Sequence, residues 1–528
     1  MENPIVQVQQ GKLRGIKERN YNGNNYYAFR GIPYAKPPIG KLRFKDPEPA
    51  VSWSGIRSAT KYGNKCAQIN WFTQKIDGSD DCLYLNVFTM ELNPSEAKAV
   101  MFFIHPGNFS FGSGSDELYG PDFIVEKDVV LVTINYRVGI LGFLNLDDES
   151  ASGNQGLKDQ VIALKWVQQN IDKFGGDPNS VTIFGSSAGG SSVHYLSLSP
   201  LTQGLFHKVI LQSGVATNPW ATVPHSMKEK AIEISSILGN KITDSKELVD
   251  YLQKTDVQLL LKAAASLLSW ENKYLSLNTF GPSVDHKSKT PFLSIPIEDA
   301  VKSGIKIPCI IGMASHEAII TLAGLNEDNL SEIAANQDTL LLHPNVKCFL
   351  QRHNISVSHV KKFYMGDEKI SLKNKQLFVD FISATNFVIN IHHIIDIQRN
   401  NLSVPTYFYR FDYYSKHTST MQKILRTDLK GTCHCEEAGY FFNMKFYKKI
   451  GIEPPVPGTI EYFIKKNFLE LWTTFAKTGN PNPQSPESMS VEWKPIDNNP
   501  TEHNCLKISK DLRMIKEKNL LYQFMNNI

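Results

Sequence analysis

The chain has 528 residues, 41% of them hydrophobic and 20% charged, ordinary proportions for a globular protein with a sizeable core. Its formal net charge of +4 is small for this length and no Lys/Arg block stands out, so nucleic-acid binding has no support. No uninterrupted apolar run reaches the roughly 18 residues of a membrane span, so none is expected.

In chain order, Ile5, Val6 and Val8 alternate as a strand almost directly after Met1. That leaves no room for a signal peptide, so the chain as written reads as cytoplasmic; a trimmed N-terminus would make it secreted. The stretch Tyr27 to Pro38 carries prolines at 33, 37 and 38, which exclude helix and suggest a rigid surface loop. Ala97 to Ile104 and Val129 to Asn135 are nearly continuous apolar runs, the mark of parallel strands buried on both faces. Leu157, Val161, Leu164, Val167 and Ile171 recur at helical spacing. Val181 to Phe184, Lys208 to Gly214, Ile305 to Gly312 and Val404 to Tyr413 add further strands. Residues of about 225–300 and 320–400 read as helical insertions. Strands separated by helices in this order predict one α/β domain over residues 1–528, with a large, mostly parallel sheet and helices on both faces.

The strand at Val181 runs into Gly185-Ser186-Ser187-Ala188-Gly189, which fits the G-x-S-x-G nucleophile elbow. A serine on so sharp a turn needs nearly side-chain-free residues two before and two after it. The hydroxyl then stands above the sheet edge, and charge developing there meets the N-terminus of the next helix. Such a serine needs a base, itself oriented by an acid, in the chain order Ser, acid, His. Glu317 lies just past one predicted strand and His434 downstream of another. With 14 histidines and 52 acidic residues, order alone does not select them, and His316 beside Glu317 is a rival. The segment Phe103 to Phe109, with Gly107 and Asn108, follows a strand as an oxyanion-hole loop should.

Seven cysteines are an odd number in a long chain, so this is no disulfide scaffold. Cys66 and Cys82 enclose a polar loop of a length that a disulfide closes readily, whereas a cytosolic address favours free thiols. Cys433-His434-Cys435 lacks the gaps that zinc ligands need, and no metal is expected there.

Taken together, the sequence resembles the type-B carboxylesterase/cholinesterase family, and most of all the insect α-esterases. The resemblance runs through F-R-G-I-P-Y-A-K-P-P (29–38), S-D-D-C-L-Y-L-N-V (79–87), N-Y-R-V-G-I-L-G-F-L (135–144), G-N-Q-G-L-K-D-Q (153–160), the elbow, and W-T-T-F-A-K-T-G-N-P-N-P (472–483). It implies an α/β-hydrolase fold and a serine esterase that needs no cofactor, working through an acyl-enzyme on apolar xenobiotic or lipid esters. It further implies Ser187 as nucleophile, Glu317 as acid and His434 as base, with Gly107, Asn108 and Ala188 supplying oxyanion-hole N–H groups. A Cys66–Cys82 disulfide, the ion pairs Arg43–Asp80 and Arg137–Asp159, and Trp220 in the acyl pocket follow from the same resemblance. Small-molecule esters are the expected partners; oligomeric state is not readable.

Three departures from the family pattern stand out. Ser186 replaces a glutamate, removing a carboxylate beneath the site; Ala318 replaces a glycine after the acid; and Asn108 replaces the second glycine of the oxyanion loop. Asn tolerates positive φ, so its N–H is expected to be presented still. Its side chain is expected near the Ser187 hydroxyl, narrowing the acyl space and holding a water, with low ester turnover and slow organophosphate hydrolysis as the result. A juvenile-hormone-esterase-like specialist and a weakly active sequestering or adhesion-type member are the alternatives.

Overall fold

The computed structural model describes residues 3–71, 73–224, 226–415, 419–484 and 491–527. Among them, eleven strands form the central sheet. In chain order these are β1 (Ile16–Arg19), β2 (Asn25–Pro33), β3 (Tyr84–Thr89), β4 (Lys98–Ile104), β5 (Val130–Ile134), β6 (Gly176–Ser186), β7 (Lys208–Gln212), β8 (Cys309–Ala314), β9 (Thr406–Phe411), β10 (Glu502–Ile508) and β11 (Leu512–Lys518). The spatial order is β11-β10-β9-β8-β7-β6-β4-β5-β3-β2-β1. From β5 across to β10 every pairing is parallel, and antiparallel pairings are confined to the two ends. This is the α/β-hydrolase architecture, with the parallel strands at its centre.

Period-two alternation assigns each central strand to two cores. Val100, Phe102, Ile104, Val181, Ile183 and Leu211 face one cluster, together with Leu157, Leu164 and Val167 of helix α1 (Gln155–Asn170) and Val193 and Leu196 of helix α2 (Ala188–Leu198). Met101, Phe103, Phe184, Ile210 and Ile310 face the other, against Phe468, Leu471, Trp472 and Phe475 of helix α3 (Ile460–Thr478). Helices on both faces explain why these strands read as unbroken apolar runs. A third cluster lies within the second helical insertion, among Ile319, Leu322, Val346, Leu350 and Phe378.

Two expectations need correction. Tyr27 to Pro33 is no surface loop: it belongs to β2, a nine-residue strand buried along most of its length. Pro33 is its last residue, where a missing N–H costs the ladder little. The strand expected from Ile305 begins only at Cys309, after Pro308, and that expected from Val404 begins at Thr406, after Pro405. Among the described residues one helix, Leu372–Arg399, is long and apolar enough to cross a membrane by length and composition, but 89% of its apolar window is buried in the fold.

Both expected ion pairs are present, with different geometries. Arg137 grips Asp159 bidentately, Nε to Oδ2 at 2.8 Å and Nη2 to Oδ1 at 2.7 Å, and its backbone N–H donates to Oδ2 as well. Arg43 meets Asp80 through Nη2 alone, at 2.5 Å, and spends Nη1 on the carbonyls of Leu252 and Thr255. The Asp159 side chain is fully buried. Arg137→Leu, which strands that carboxylate, is therefore expected to lower unfolding free energy by about 3–5 kcal/mol. Chemical denaturation of the two proteins checks this, and a loss below about 1 kcal/mol would show the pair to be replaceable.

Candidate active site

The elbow is built as its steric argument requires. Ser187 sits between β6 and α2 at φ 58° and ψ −124°, outside the conformations L residues ordinarily adopt. A methyl group on Gly185 would stand 2.6 Å from the Gly189 carbonyl carbon, and one on Gly189 would stand 2.1 Å from the Ile104 oxygen. The turn is pinned by the Ser187 N–H, which donates to the Gln212 carbonyl at 2.8 Å. The hydroxyl is not spent on capping α2.

Glu317 leaves the end of β8 and His434 comes from the loop after β9, so parallel pairing of these neighbouring strands brings the two loops together. His434 Nδ1 lies 2.5 Å from Glu317 Oε2, while Glu317 Oε1 accepts the Ala314 N–H at 2.7 Å. Both side chains are buried. Burial disfavours the imidazolium, but the Cys435 sulfur and the Glu317 carboxylate outweigh it and hold the His434 pKa well above the usual value. The protonated form, which arises when His434 takes a proton, is thereby stabilised. His434 hydrogen bonds to Glu317 through Nδ1, which leaves Nε2 as the ring nitrogen for a proton from Ser187; hydrogen bonds of this kind commonly form only in the substrate complex. The rival, His316, turns away: its Nδ1 meets Ser315 Oγ at 2.8 Å and its Nε2 faces Asp380.

The loop expected to form the oxyanion hole follows β4. Gly107 has φ +122°, and a Cβ there would stand 1.9 Å from the Phe111 oxygen, so only glycine fits. Asn108 adopts φ 51°, the left-handed conformation expected of it. Ala188 is the first residue of α2, where a backbone N–H has no partner within the helix. The Asn108 side chain has a partner that the sequence did not announce. Its Nδ2 donates to Asn278 Oδ1 at 2.8 Å, and Asn278 Nδ2 returns a bond to Asn108 Oδ1 at 3.2 Å. A half-buried amide takes a directional partner where one is in reach, and Asn278 is that partner.

The other departures are compensated. Ser186 Oγ donates to Glu437 Oε1 at 2.8 Å, so a carboxylate from the His434 loop occupies the region beneath the elbow. Burial raises the Glu437 pKa, and the charge of Glu317 adds to it. Ala318 has φ −74°, which costs no strain, and its N–H donates to Ser383 Oγ. Trp220 is buried, with its ring centroid 6.5 Å from that of His434 and 5.7 Å from that of Phe387. Phe387 is itself 4.9 Å from His434 and sits in a π-helical turn, Ala384–Val388, inside the long insertion helix. Sequence reasoning missed Asn278, Phe387 and Glu437. For Glu437 a signal existed, its place three residues after His434, the expected base; Asn278 and Phe387 carry no motif.

Cys66 and Cys82 are disulfide-bonded, with Cα atoms 4.8 Å apart. No group of three or more His, Cys, Asp or Glu side chains suited to a metal ion occurs among the described residues.

Residues 2–525 match the profile of the carboxylesterase family. Esterase FE4 of Myzus persicae is 35% identical over 514 residues, covering 94% of this chain and 88% of that protein. The juvenile hormone esterase of Tribolium castaneum is 34% identical over 519 residues, covering 93% and 86%. The crystal structure of juvenile hormone esterase from Manduca sexta, with OTFP covalently attached, superposes over 100% of both chains with a TM-score of 0.85 at 27% identity.

Proposed function

The chain belongs to the carboxylesterase family, and we propose that it hydrolyses apolar carboxylic esters through Ser187, His434 and Glu317. The observation that carries this is the 2.5 Å contact between His434 and Glu317, residues 117 apart in sequence, beside a serine on a strained elbow. His434 Nε2 takes the Ser187 proton as Oγ bonds to the ester carbonyl carbon. The oxyanion is met by the N–H groups of Gly107, Asn108 and Ala188. On collapse the bond to the alcohol oxygen breaks, and the alcohol leaves with the proton from His434. Water then gives a proton to His434 and attacks the acyl-enzyme; the acid departs and Ser187 recovers its proton. Glu317 holds the imidazole so that Nε2 faces the serine and stabilises the imidazolium.

Trp220 and Phe387, packed against His434, support an apolar acyl pocket and hence apolar substrates. The same nucleophile accounts for phosphylation by organophosphates, in which Oγ displaces a leaving group from phosphorus; the paired Asn108 amide gives slow hydrolysis of that adduct less support than a free one would. A juvenile-hormone-ester specialist is the second reading, favoured by the likeness to two juvenile hormone esterases. The family match over nearly the whole chain supports one catalytic domain. Stopped-flow hydrolysis of 4-nitrophenyl acetate and hexanoate tests the mechanism: a burst of 4-nitrophenol equal to the enzyme concentration is expected, and its absence with slow linear release would contradict an accumulating acyl-enzyme.

The Cys66–Cys82 bridge supports an oxidising compartment, and so the secreted rather than the cytoplasmic address. Peptide mapping after rapid alkylation is expected to recover the two cysteines as one cross-linked species. Free thiols at both positions would overturn this.

A further inference from the structure

Asn108 and Phe109 both take positive φ, 51° and 56°, and two consecutive L residues rarely hold that conformation unaided. Support comes from the first helical insertion, 170 residues along the chain. Asn278 accepts from Asn108 Nδ2 at 2.8 Å, and its own Nδ2 donates both to Asn108 Oδ1 at 3.2 Å and to the Trp220 carbonyl at 2.7 Å. Trp220 in turn packs against the imidazole of His434. One carboxamide therefore bridges the oxyanion loop and the wall beside the base. An amide pair is directional, unlike an apolar contact, so it fixes the rotation of the loop as well as its distance.

We propose that Asn278 is a positioning residue for ester hydrolysis: through the Asn108 carboxamide it holds the Asn108 N–H towards the oxyanion and ties it to the Trp220 wall. This rests on the assignment of Gly107, Asn108 and Ala188 as the oxyanion hole. The device is specific to a chain with a side chain at position 108, because a glycine there has no carboxamide to grip.

The test compares Asn278→Ala, Asn278→Asp, Asn108→Gly and Asn108→Gly/Asn278→Ala, with active sites counted by a fluorophosphonate probe. Asn278→Ala is expected to lower kcat for 4-nitrophenyl acetate by about 10-fold, from the loss of the directional bonds, with KM within about twofold. Asn278→Asp keeps the volume and the acceptor for Asn108 Nδ2 but loses both donated bonds, and a fall of about 3-fold or more is expected. In the Asn108→Gly background, Asn278→Ala is expected to change kcat by less than about twofold, since the partner is already gone. An Asn278→Ala kcat within about twofold of wild type, or an undiminished fall in the glycine background, would overturn the proposal. Should Asn278→Ala not melt as the wild type does, Asn278→Asp decides by the same criteria, alone and with Asn108→Gly. Wild-type protein that takes no label on Ser187 would instead overturn the site assignment, and the proposal with it.

Discussion

Ser187→Ala is expected to lower kcat for 4-nitrophenyl esters by about 10⁶, leaving only what the oxyanion N–H groups and binding supply. The size of the effect comes from the way the site is organised. In the proposed mechanism His434 and Glu317 have one task, accepting and stabilising the serine proton, and with the hydroxyl gone they have nothing to activate. Ser186 does not substitute, because its hydroxyl is hydrogen bonded to Glu437 beneath the elbow. The substitution removes one oxygen from a residue that does not cap its helix, so thermal stability is expected to stay close to wild type. Steady-state turnover and a melting curve check both halves. A residual rate above about one hundredth of wild type would mean that another nucleophile carries the reaction.

Glu317→Gln is expected to cost about 10⁴ in kcat with little change in KM. Two N–H donors converge on this carboxylate, from Ala314 at Oε1 and from His434 Nδ1 at Oε2. A glutamine offers one oxygen and one NH₂, so it satisfies one donor only. If the oxygen stays with Ala314, the NH₂ faces Nδ1 and forces the imidazole proton onto Nε2, where the base should be free. If the oxygen turns to Nδ1, the buried Ala314 N–H loses its acceptor, and in either case the negative charge that stabilises the imidazolium is gone. Kinetics over a pH series test this. A variant within about tenfold of wild type would show that Glu317 does not orient the base.

Much of this site was legible in the sequence, and the reasons are local. The apolar runs at Ala97–Ile104 and Val129–Asn135 announced strands covered on both sides, and the two hydrophobic clusters on either face of β4 show why. The elbow could be read because its glycines are dictated by contacts within a few residues and with the adjacent strand. The proposed triad was suggested by strand order together with the family resemblance, and parallel neighbours deliver the Glu317 and His434 loops to the same edge.

What sequence did not disclose depends on contacts between distant segments. Asn278 lies in an insertion with no motif, and its role exists only through the side chain of Asn108 and the carbonyl of Trp220. Phe387 meets His434 from a π-helical turn inside a long helix, a feature that helical periodicity does not announce. Ser186 looked like a lost carboxylate, yet Glu437 returns one from the other side of the elbow. At Tyr27–Pro33 the prolines misled, because a proline at the last position of a strand is compatible with its ladder.

The central claim is that Ser187 is an activated nucleophile served by His434 and Glu317. The most direct measurement is reaction of the folded protein with a fluorophosphonate, followed by digestion and mass mapping of the adduct. The account predicts stoichiometric labelling confined to Ser187, abolished in Ser187→Ala and strongly slowed in Glu317→Gln. An adduct on Ser186 or on any other residue, or no adduct in protein that melts cooperatively, would contradict it.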